Sequence, residues 1–370
     1  MSPPLNIGIA GLGTIGGGTF KLLMEQAESI ERRAGRALRL VAVADPDASK
    51  MKEAEKNGIR CYADALPMAA EDDIDVVVEL IGGSDGIAKK LCEIAIKNAK
   101  HVVTANKGLI AHHGMALAQA AEDAGVTLAY EAAVAGGIPV IKALTEGLAG
   151  NDIERVMGVM NGTCNYILTR MESAGLPYEA VFEEARQLGY LEADPTLDVG
   201  GIDASHKLAI LSSIAFGTRI DFGAVEIEGI ERVSIDDIQA AANMGYKIKL
   251  LGVAQMTGRG LEQRMQPCLV PDSSPLGQLA GGTNMIVLEG DAIGQIVLRG
   301  PGAGEGPTAS AVMGDVMDVA RGLRVSTFGR PADSLTEATP ARASTPAPYY
   351  LRMTLADKPG ALAKVATALG

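Results

Sequence analysis

LNIGIAGLGTIGGGTFKLLMEQ, residues 5–26, is the stretch whose reading decides the fold. It begins with an apolar run, passes through a cluster of glycines and ends with apolar residues at helical spacing, the pattern of a strand, a tight turn and a helix. Within it Gly11, Gly13 and Gly16 form GxGxxG. Alone that motif is common, and the competing reading is an ordinary glycine-rich turn. At the junction of a strand and a helix that heads a βαβ unit it reads as a dinucleotide fingerprint. The first glycine makes the turn and the second lets the backbone approach a pyrophosphate. The third lets helix and strand pack closely, while the helix N-terminus offers unpaired N–H groups to an anion.

Working outward, RLVAVAD (39–45), DIDVVVELIGG (73–83), HVVTAN (101–106) and VTLAYEAAV (126–134) read as further strands. IAKKLCEIAIKNA and MALAQAAEDAG (115–125) read as helices between them. Alternation of this kind predicts an α/β fold with a Rossmann-type parallel sheet, assigned to residues 1–133. After GGIPVIKALTEGLAG the texture changes. A strand running into a loop and helix (153–168), two more helices, and four strands at hairpin spacing between 247 and 300 predict a second, α+β domain over 134–307. A helix over 308–322 is expected to pack back on the first domain. Residues 326–348, rich in Ser, Thr, Ala and Pro, read as a linker. YYLRMTLADKPGALAKVATALG (349–370) reads as one strand, a turn and the start of a helix, an incomplete module.

Composition narrows the function. The 370 residues are 47% hydrophobic and 21% charged, with a net charge of −12. The acidic balance argues against nucleic acid or an anionic membrane as partner, since both select basic patches. No apolar run approaches the roughly 18–20 residues that span a bilayer, and the N-terminus lacks the pattern of a signal peptide. Cys61, Cys92, Cys164 and Cys268 are widely spaced, which fits free thiols in a reducing compartment, the cytoplasm.

Several polar residues sit where chemistry is expected. Asp45 ends the second strand, where an acid can bind the adenosine ribose and repel a 2′-phosphate; the competing reading is a turn aspartate in DPD. Lys50 and Lys52 are near enough to neutralise such a phosphate, so NAD and NADP both stay open. TANKG (104–108) places Lys107 at the carboxyl edge of the sheet, the ligand side of open α/β folds. NGTCNY (161–166) is a polar loop between apolar segments. GYLEADPTLDVGGID (189–203) gathers Glu192, Asp194, Asp198 and Asp203, either a solvated acidic loop or a holder for an ammonium group. Asp203 and Lys207, four residues apart, share one helical face. They form either a surface ion pair or a buried, chemically active lysine.

GLGTIG, TANKG, YEAAVAGGIP, NGTCNYIL, GYLEADPTLDVGGIDASHK, AGGTNMIVLEGD and GPGAGEGPTASAV, in this order, resemble homoserine dehydrogenase from about residue 5 to 325. LADKPGALAKVA resembles the opening of an ACT regulatory module. The resemblance implies reversible NAD(P)H-dependent reduction of L-aspartate 4-semialdehyde to L-homoserine. It makes Lys207 the acid/base, puts Lys107 beside the reacting oxygen, and makes Asp203 a substrate-site acid that orients Lys207. It implies substrate contacts at Gly162, Thr163, Tyr190, Glu192 and Asp198 with Lys207. Cofactor contacts are implied at Gly11, Gly13, Thr14, Ile15, Gly16, Asp45, Thr104, Lys107, Gly304 and Glu305. It also implies a monovalent cation, expected to be Na+, at Glu131, Val134, Gly136 and Ile138, and a homodimer built by the second domain. The family often carries an arginine where this chain has Ala44 before Asp45, which weakens the case for strict NADP use. The rival readings are another amino-acid dehydrogenase of the same layout, and a non-catalytic NAD(P) sensor with no use for Lys107 and Lys207.

Overall fold

A computed structural model describes residues 3–191, 194–341 and 346–369. Its first sheet holds β1 (Leu5–Ala10), β2 (Leu38–Ala44), β3 (Arg60–Tyr62), β4 (Val76–Glu79), β5 (His101–Thr104) and β6 (Leu128–Ala129). Every pairing in it is parallel, in the order β3-β2-β1-β4-β5-β6. Strands such as VVVE are buried on both faces, as a parallel sheet covered by helices requires. The strand order reverses between β1 and β4, which opens a crevice at their carboxyl ends. Helices α1 (Thr14–Glu25), α2 (Ile87–Lys97) and α3 (Lys107–Asp123) follow β1, β4 and β5.

The glycine-rich turn is set by close approach. A Cβ on Gly16 would lie 1.8 Å from the Gly11 carbonyl oxygen, and one on Gly11, at φ +90°, would lie 2.6 Å from the Leu80 oxygen. Only glycine lets α1 start this close to β1. A Cβ on Gly13 would meet nothing within 4 Å, so this glycine faces open space in the crevice.

The second sheet holds β7 (Ile153–Val159), β8 (Glu226–Ile227), β9 (Tyr246–Thr257), β10 (Gly260–Pro271), β11 (Thr283–Gly290) and β12 (Gly294–Pro301). Its order is β12-β11-β7-β9-β10-β8, antiparallel except between β8 and β10. Helices α4 (Gly162–Ala174), α5 (Ile202–Phe216) and α6 (Ile235–Asn243) pack against it. A single core cluster runs from Val77 and Val102 of the first sheet through Tyr130 and Val134 to Leu208, Leu250 and Ile286 of the second. The chain then returns in α7 (Glu305–Arg321), whose Val312 and Val316 join Ile7, Ile9 and Leu23 in another cluster. A Cβ on Gly18 of α1 would lie 2.5 Å from Glu305 Cγ, so glycine is what lets these helices cross closely.

The structure corrects several expectations. The strand read over 126–134 is only Leu128–Ala129, followed by a 3-10 turn over Glu131–Ala133. The Glu131 carboxylate is buried and accepts from Ile141 N (2.9 Å) and Lys142 N (2.8 Å), contacts ten and eleven residues along that the apolar pattern does not show. Helix α7 starts at Glu305, ahead of the expected 308. The linker reading of 326–348 fails for its first half: Phe328 is 0% exposed, and Thr336 and Pro340 form bridges to Thr218 and Leu261. Small and polar residues masked the few large apolar anchors there. Residues 349–356 form no strand, since no neighbouring strand meets them, and the helix Ala361–Leu369 buries none of its residues.

Phe328 is therefore part of the body. Phe328→Ala should lower unfolding free energy by about 3–5 kcal/mol, the usual cost of emptying such a site, as measured by denaturant titration. A cost below about 1 kcal/mol would return the segment to linker status.

Candidate active site

Loops and helix starts of both units deliver polar groups to the seam between the sheets. At the end of β5 the Thr104 hydroxyl donates to Glu79 Oε2 (2.5 Å) and accepts from Asn106 N (3.0 Å). Asn106 caps α3 by accepting from Leu109 N (3.0 Å), and its side-chain amide donates to the Gly83 oxygen (2.6 Å). That cap fixes Lys107 as the first residue of α3, at the carboxyl edge of the sheet. Across the seam, Gly201 takes a left-handed φ of +81° and starts α5, which carries Asp203 and, one turn on, Lys207.

The two units meet in a bridged pair of lysines. Asp203 Oδ2 lies 2.7 Å from Lys207 Nζ, and its Oδ1 lies 2.9 Å from Lys107 Nζ. Lys207 Nζ also donates to the Met160 oxygen (2.8 Å), and the residue is 8% exposed. Asn161 caps α4 by accepting from Cys164 N (2.8 Å) and donates to both Asp198 Oδ1 (2.9 Å) and Asp203 Oδ2 (3.2 Å). The Asp203–Lys207 pair is thus no surface ion pair. Burial pushes the Asp203 carboxyl up, but Lys207 and Lys107 overcome this and hold it far below the usual carboxylate range. Asp203 is an anion at every working pH. On α5 itself, burial and His112 lower His206 to about 4, so its imidazole is neutral.

These groups line a cleft of about 550 Å³ together with Ile15, Gly136, Gly162, Thr163, Tyr190 and Gly304. Thr163 donates to the Tyr190 oxygen (2.9 Å), and the Tyr190 ring stacks on Tyr166 with centroids 4.5 Å apart. A second cleft of about 540 Å³ lies at the crevice, lined by Gly11, Gly13, Asp45 and Lys50. Helix α1 enters between the two with no side-chain cap and no acid in its first turn, suited to an anion. Asp45 is buried: Oδ2 accepts from Leu12 N (2.8 Å) and Oδ1 from Asp47 N (2.9 Å), with Lys50 Nζ at 3.5 Å.

Other expected residues sit elsewhere. Thr104 is buried behind the cleft and holds Glu79; Glu305 packs on Gly18; Thr14 and Gly16 lie in the first turn of α1, outside both linings. Asp194 accepts from Thr196 and caps its own turn. Glu192 lies outside the described residues. Glu131, Val134 and Ile138 are buried beside Gly136.

Sequence reasoning singled out the polar NGTCNY loop but not the internal bonds of its Asn161 and Asn165, and it missed Lys249 and Asn284. Lys249, 2% exposed on β9, donates to Asn165 Oδ1 (2.9 Å) and the Leu279 oxygen (2.5 Å). Asn165 in turn donates to the Gly281 oxygen (2.7 Å), pinning the turn that precedes β11. A lysine set between Ile248 and Leu250, at the head of the apolar run 250–254, was the available signal.

Comparison with known proteins agrees with this arrangement. Residues 11–131 match the model of the homoserine dehydrogenase NAD-binding domain, and 139–317 match that of homoserine dehydrogenase. Homoserine dehydrogenase of Pseudomonas aeruginosa is 46% identical over 374 residues, covering 99% of this chain and 85% of the relative. The crystal structure of a homoserine dehydrogenase from Thiobacillus denitrificans superposes with a TM-score of 0.89 at 42% identity, covering 99% of this chain and 86% of that one. A hyperthermophilic archaeal homoserine dehydrogenase in complex with NADPH gives a TM-score of 0.72 at 27% identity, covering 85% of this chain and 97% of that one. A bridged lysine pair at the mouth of a dinucleotide crevice, on this fold and with these relatives, leaves one conclusion: the chain belongs to the homoserine dehydrogenase family.

Proposed function

We propose that this chain interconverts L-aspartate 4-semialdehyde and L-homoserine with NAD(P)H, in the biosynthesis of threonine, methionine and isoleucine. The observation that carries the reading is Asp203 gripping Lys107 and Lys207 where the two sheets meet. In this reading residues 1–133 hold the dinucleotide and 134–307 hold the amino acid. The bound cofactor supplies the hydride; the open Gly13 and uncapped α1 fit its pyrophosphate. Lys207 is the proton donor. An ammonium has three N–H groups, and two of them are spent on Asp203 and the Met160 oxygen. The remaining one serves the substrate oxygen, giving its proton as the carbonyl becomes an alkoxide and taking it back in oxidation. Lys107 adds a second positive charge beside the developing oxyanion. Asp203, permanently charged, orients both lysines. Asp198, Gly162, Thr163, Tyr190 and Glu192 are assigned to the amino acid.

The cation assignment has its own support. Among the described residues no hydrogen bond ends on the Val134 or Gly136 carbonyl, while that of Ile138 accepts from Val140 N (2.8 Å). Ala135 and Gly136 take left-handed φ values of +57° and +52°. Two unclaimed carbonyls on a tightly turned chain suit a hard monovalent ion such as Na+. The homodimer is assigned to the face of the second sheet opposite α4 and α5. There Met157, Val253 and Cys268 are half-buried and Val297 is 39% exposed. No described helix is long and apolar enough to cross a membrane, and all four cysteines are free; we place the protein in the cytoplasm.

Three results are expected. Lys207→Ala should cut homoserine oxidation by about 10²–10⁴-fold, the worth of a positioned acid/base, at unchanged cofactor affinity; a loss below tenfold would remove Lys207 from the chemistry. Asp45→Ser should raise the NADP-to-NAD ratio of kcat/KM roughly tenfold or more, because one like-charge contact costs about 1–4 kcal/mol near a surface. An unchanged ratio would show that Asp45 serves only the Leu12 turn. Val297→Asp should shift the sedimentation equilibrium from dimer toward monomer, and a dimer of wild-type strength would place the interface elsewhere.

A further inference from the structure

Lys249 lies outside the cleft, yet its bonds lead back to it. The residue is 2% exposed on β9, and its amine meets the side-chain oxygen of Asn165 on α4 (2.9 Å) and the Leu279 carbonyl (2.5 Å). The neighbouring Glu172 pairs instead with Lys247 (3.2 Å). Lysine is rarely buried so deeply, because desolvation disfavours its charge. Burial lowers Lys249 to about 8. An ammonium carries three N–H groups and the neutral amine two, so both acceptors are served in either form.

What Lys249 holds is a wall of the cleft. Asn165 extends the grip by donating to the Gly281 oxygen (2.7 Å), so the turn over 279–282 is held at Leu279 and at Gly281. Gly282 in that turn is exposed and lines the cleft. A Cβ on Gly162 would lie 2.5 Å from the Gly282 oxygen, and one on Gly282 would lie 3.5 Å from Tyr190 Cε1. The turn therefore backs the first residue of α4 and the Tyr190 ring, both on the side of the cleft assigned to the amino acid. Residues 279–282 take no part in lining the dinucleotide crevice at Gly11, Gly13 and Asp45.

We propose that Lys249 is a positioning residue which, through Asn165 and the turn over 279–282, fixes the wall against which the amino acid binds. The inference rests on the proposed function for the identity of that reactant. Lys249 touches no reactant itself. Its effect falls on amino-acid affinity and leaves the dinucleotide alone, because the bonds it makes end on one side of the cleft.

Lys249→Met keeps the length of the side chain and removes both donors. Homoserine KM, taken from initial rates, should rise about tenfold or more, since a misplacement of about 1 Å far from the chemistry can cost on the order of 100-fold. The value of kcat should fall by less than KM rises, and the NADH dissociation constant, from nicotinamide fluorescence, should stay at the wild-type value. Asn165→Leu cuts the same relay one step later. The double variant should raise KM no further than the stronger single variant, the non-additivity expected of residues in one network. Should Lys249→Met fail to fold, Asn165→Asp leaves Lys249 its acceptor, withdraws only the donor to Gly281 and carries the same expectation for KM. A lower melting temperature with homoserine KM unchanged would overturn the proposal, and so would equal losses in homoserine KM, kcat and NADH binding. Hydrogen exchange separates this result from the functional reading. In unliganded Lys249→Met the amides of 279–284 and 161–166 should exchange faster while those of the first sheet do not, and unchanged exchange would remove Lys249 from the wall whatever the reactant. Wild-type protein that binds NADH but never oxidises homoserine would overturn the functional reading alone.

Discussion

The carboxylate of Asp203, shared between an ammonium from each half of the chain, is the constraint around which the structure is arranged. Two charges taken out of water, Asp203 and Lys207, beside a third that is one-third exposed, Lys107, are tolerated only with near-ideal geometry and further hydrogen bonds. Asn161 and the Met160 oxygen provide them. Lys107 enters from the first sheet, and Asp203 and Lys207 from a helix beneath the second, so the two units must meet in one register. The core cluster that runs continuously through both sheets is the packing counterpart of that requirement. Adding buried Asp198 brings the described charges of the site to two ammonium groups and two carboxylates. A zwitterionic amino acid leaves that balance undisturbed.

What was legible in the sequence follows from how far apart the interacting residues lie. The glycine turn could be read because its sterics are local: Gly16 and Gly11 meet within one turn of chain. Asp203 and Lys207 could be paired because four residues on a helix fix their facing. The position of Lys107 followed from the rule that ligands gather at the carboxyl edge of a parallel sheet. The partner of Lys107, however, could not be read from spacing, since nothing local ties residue 107 to residue 203. The internal bonds of Asn161 and Lys249 escaped the sequence for the same reason: they run across long sequence separations, and asparagine in a loop carries no periodic signature.

The failed readings show the complementary limit. VTLAYEAAV has a strand's apolar pattern, yet the glutamate within it is buried and takes its two backbone N–H donors from Ile141 and Lys142, beyond the segment, where no local pattern shows them. The segment after 326 has a linker's composition, but one phenylalanine filling a core site outweighs many small residues. Composition averages over a stretch, whereas packing is decided by its largest side chain.

Two buried charge clusters in this chain differ in the number of cations per carboxylate, and that difference decides their chemistry. Around Asp203 two lysines hold one carboxyl ionised against burial. Beside the seam, Lys142 meets Asp315 (3.1 Å) and Asp318, Arg321 also pairs with Asp318 (3.0 Å), and Glu131 lies next to them, two cations for three carboxyls. There burial prevails: Glu131 is pushed up to about 7 and Asp315 to about 6. The sign of each linkage follows. The depressed Asp203 contributes stability above its unfolded value near 3.8 that drains away as the pH falls toward its folded value. Glu131 and Asp315, raised, contribute most below their unfolded values of 4.5 and 3.8, and lose that contribution as the pH rises through about 7 and 6. The lysine-rich cluster lies in the cleft assigned to the chemistry, and the lysine-poor one lies beside the joint between the two sheets.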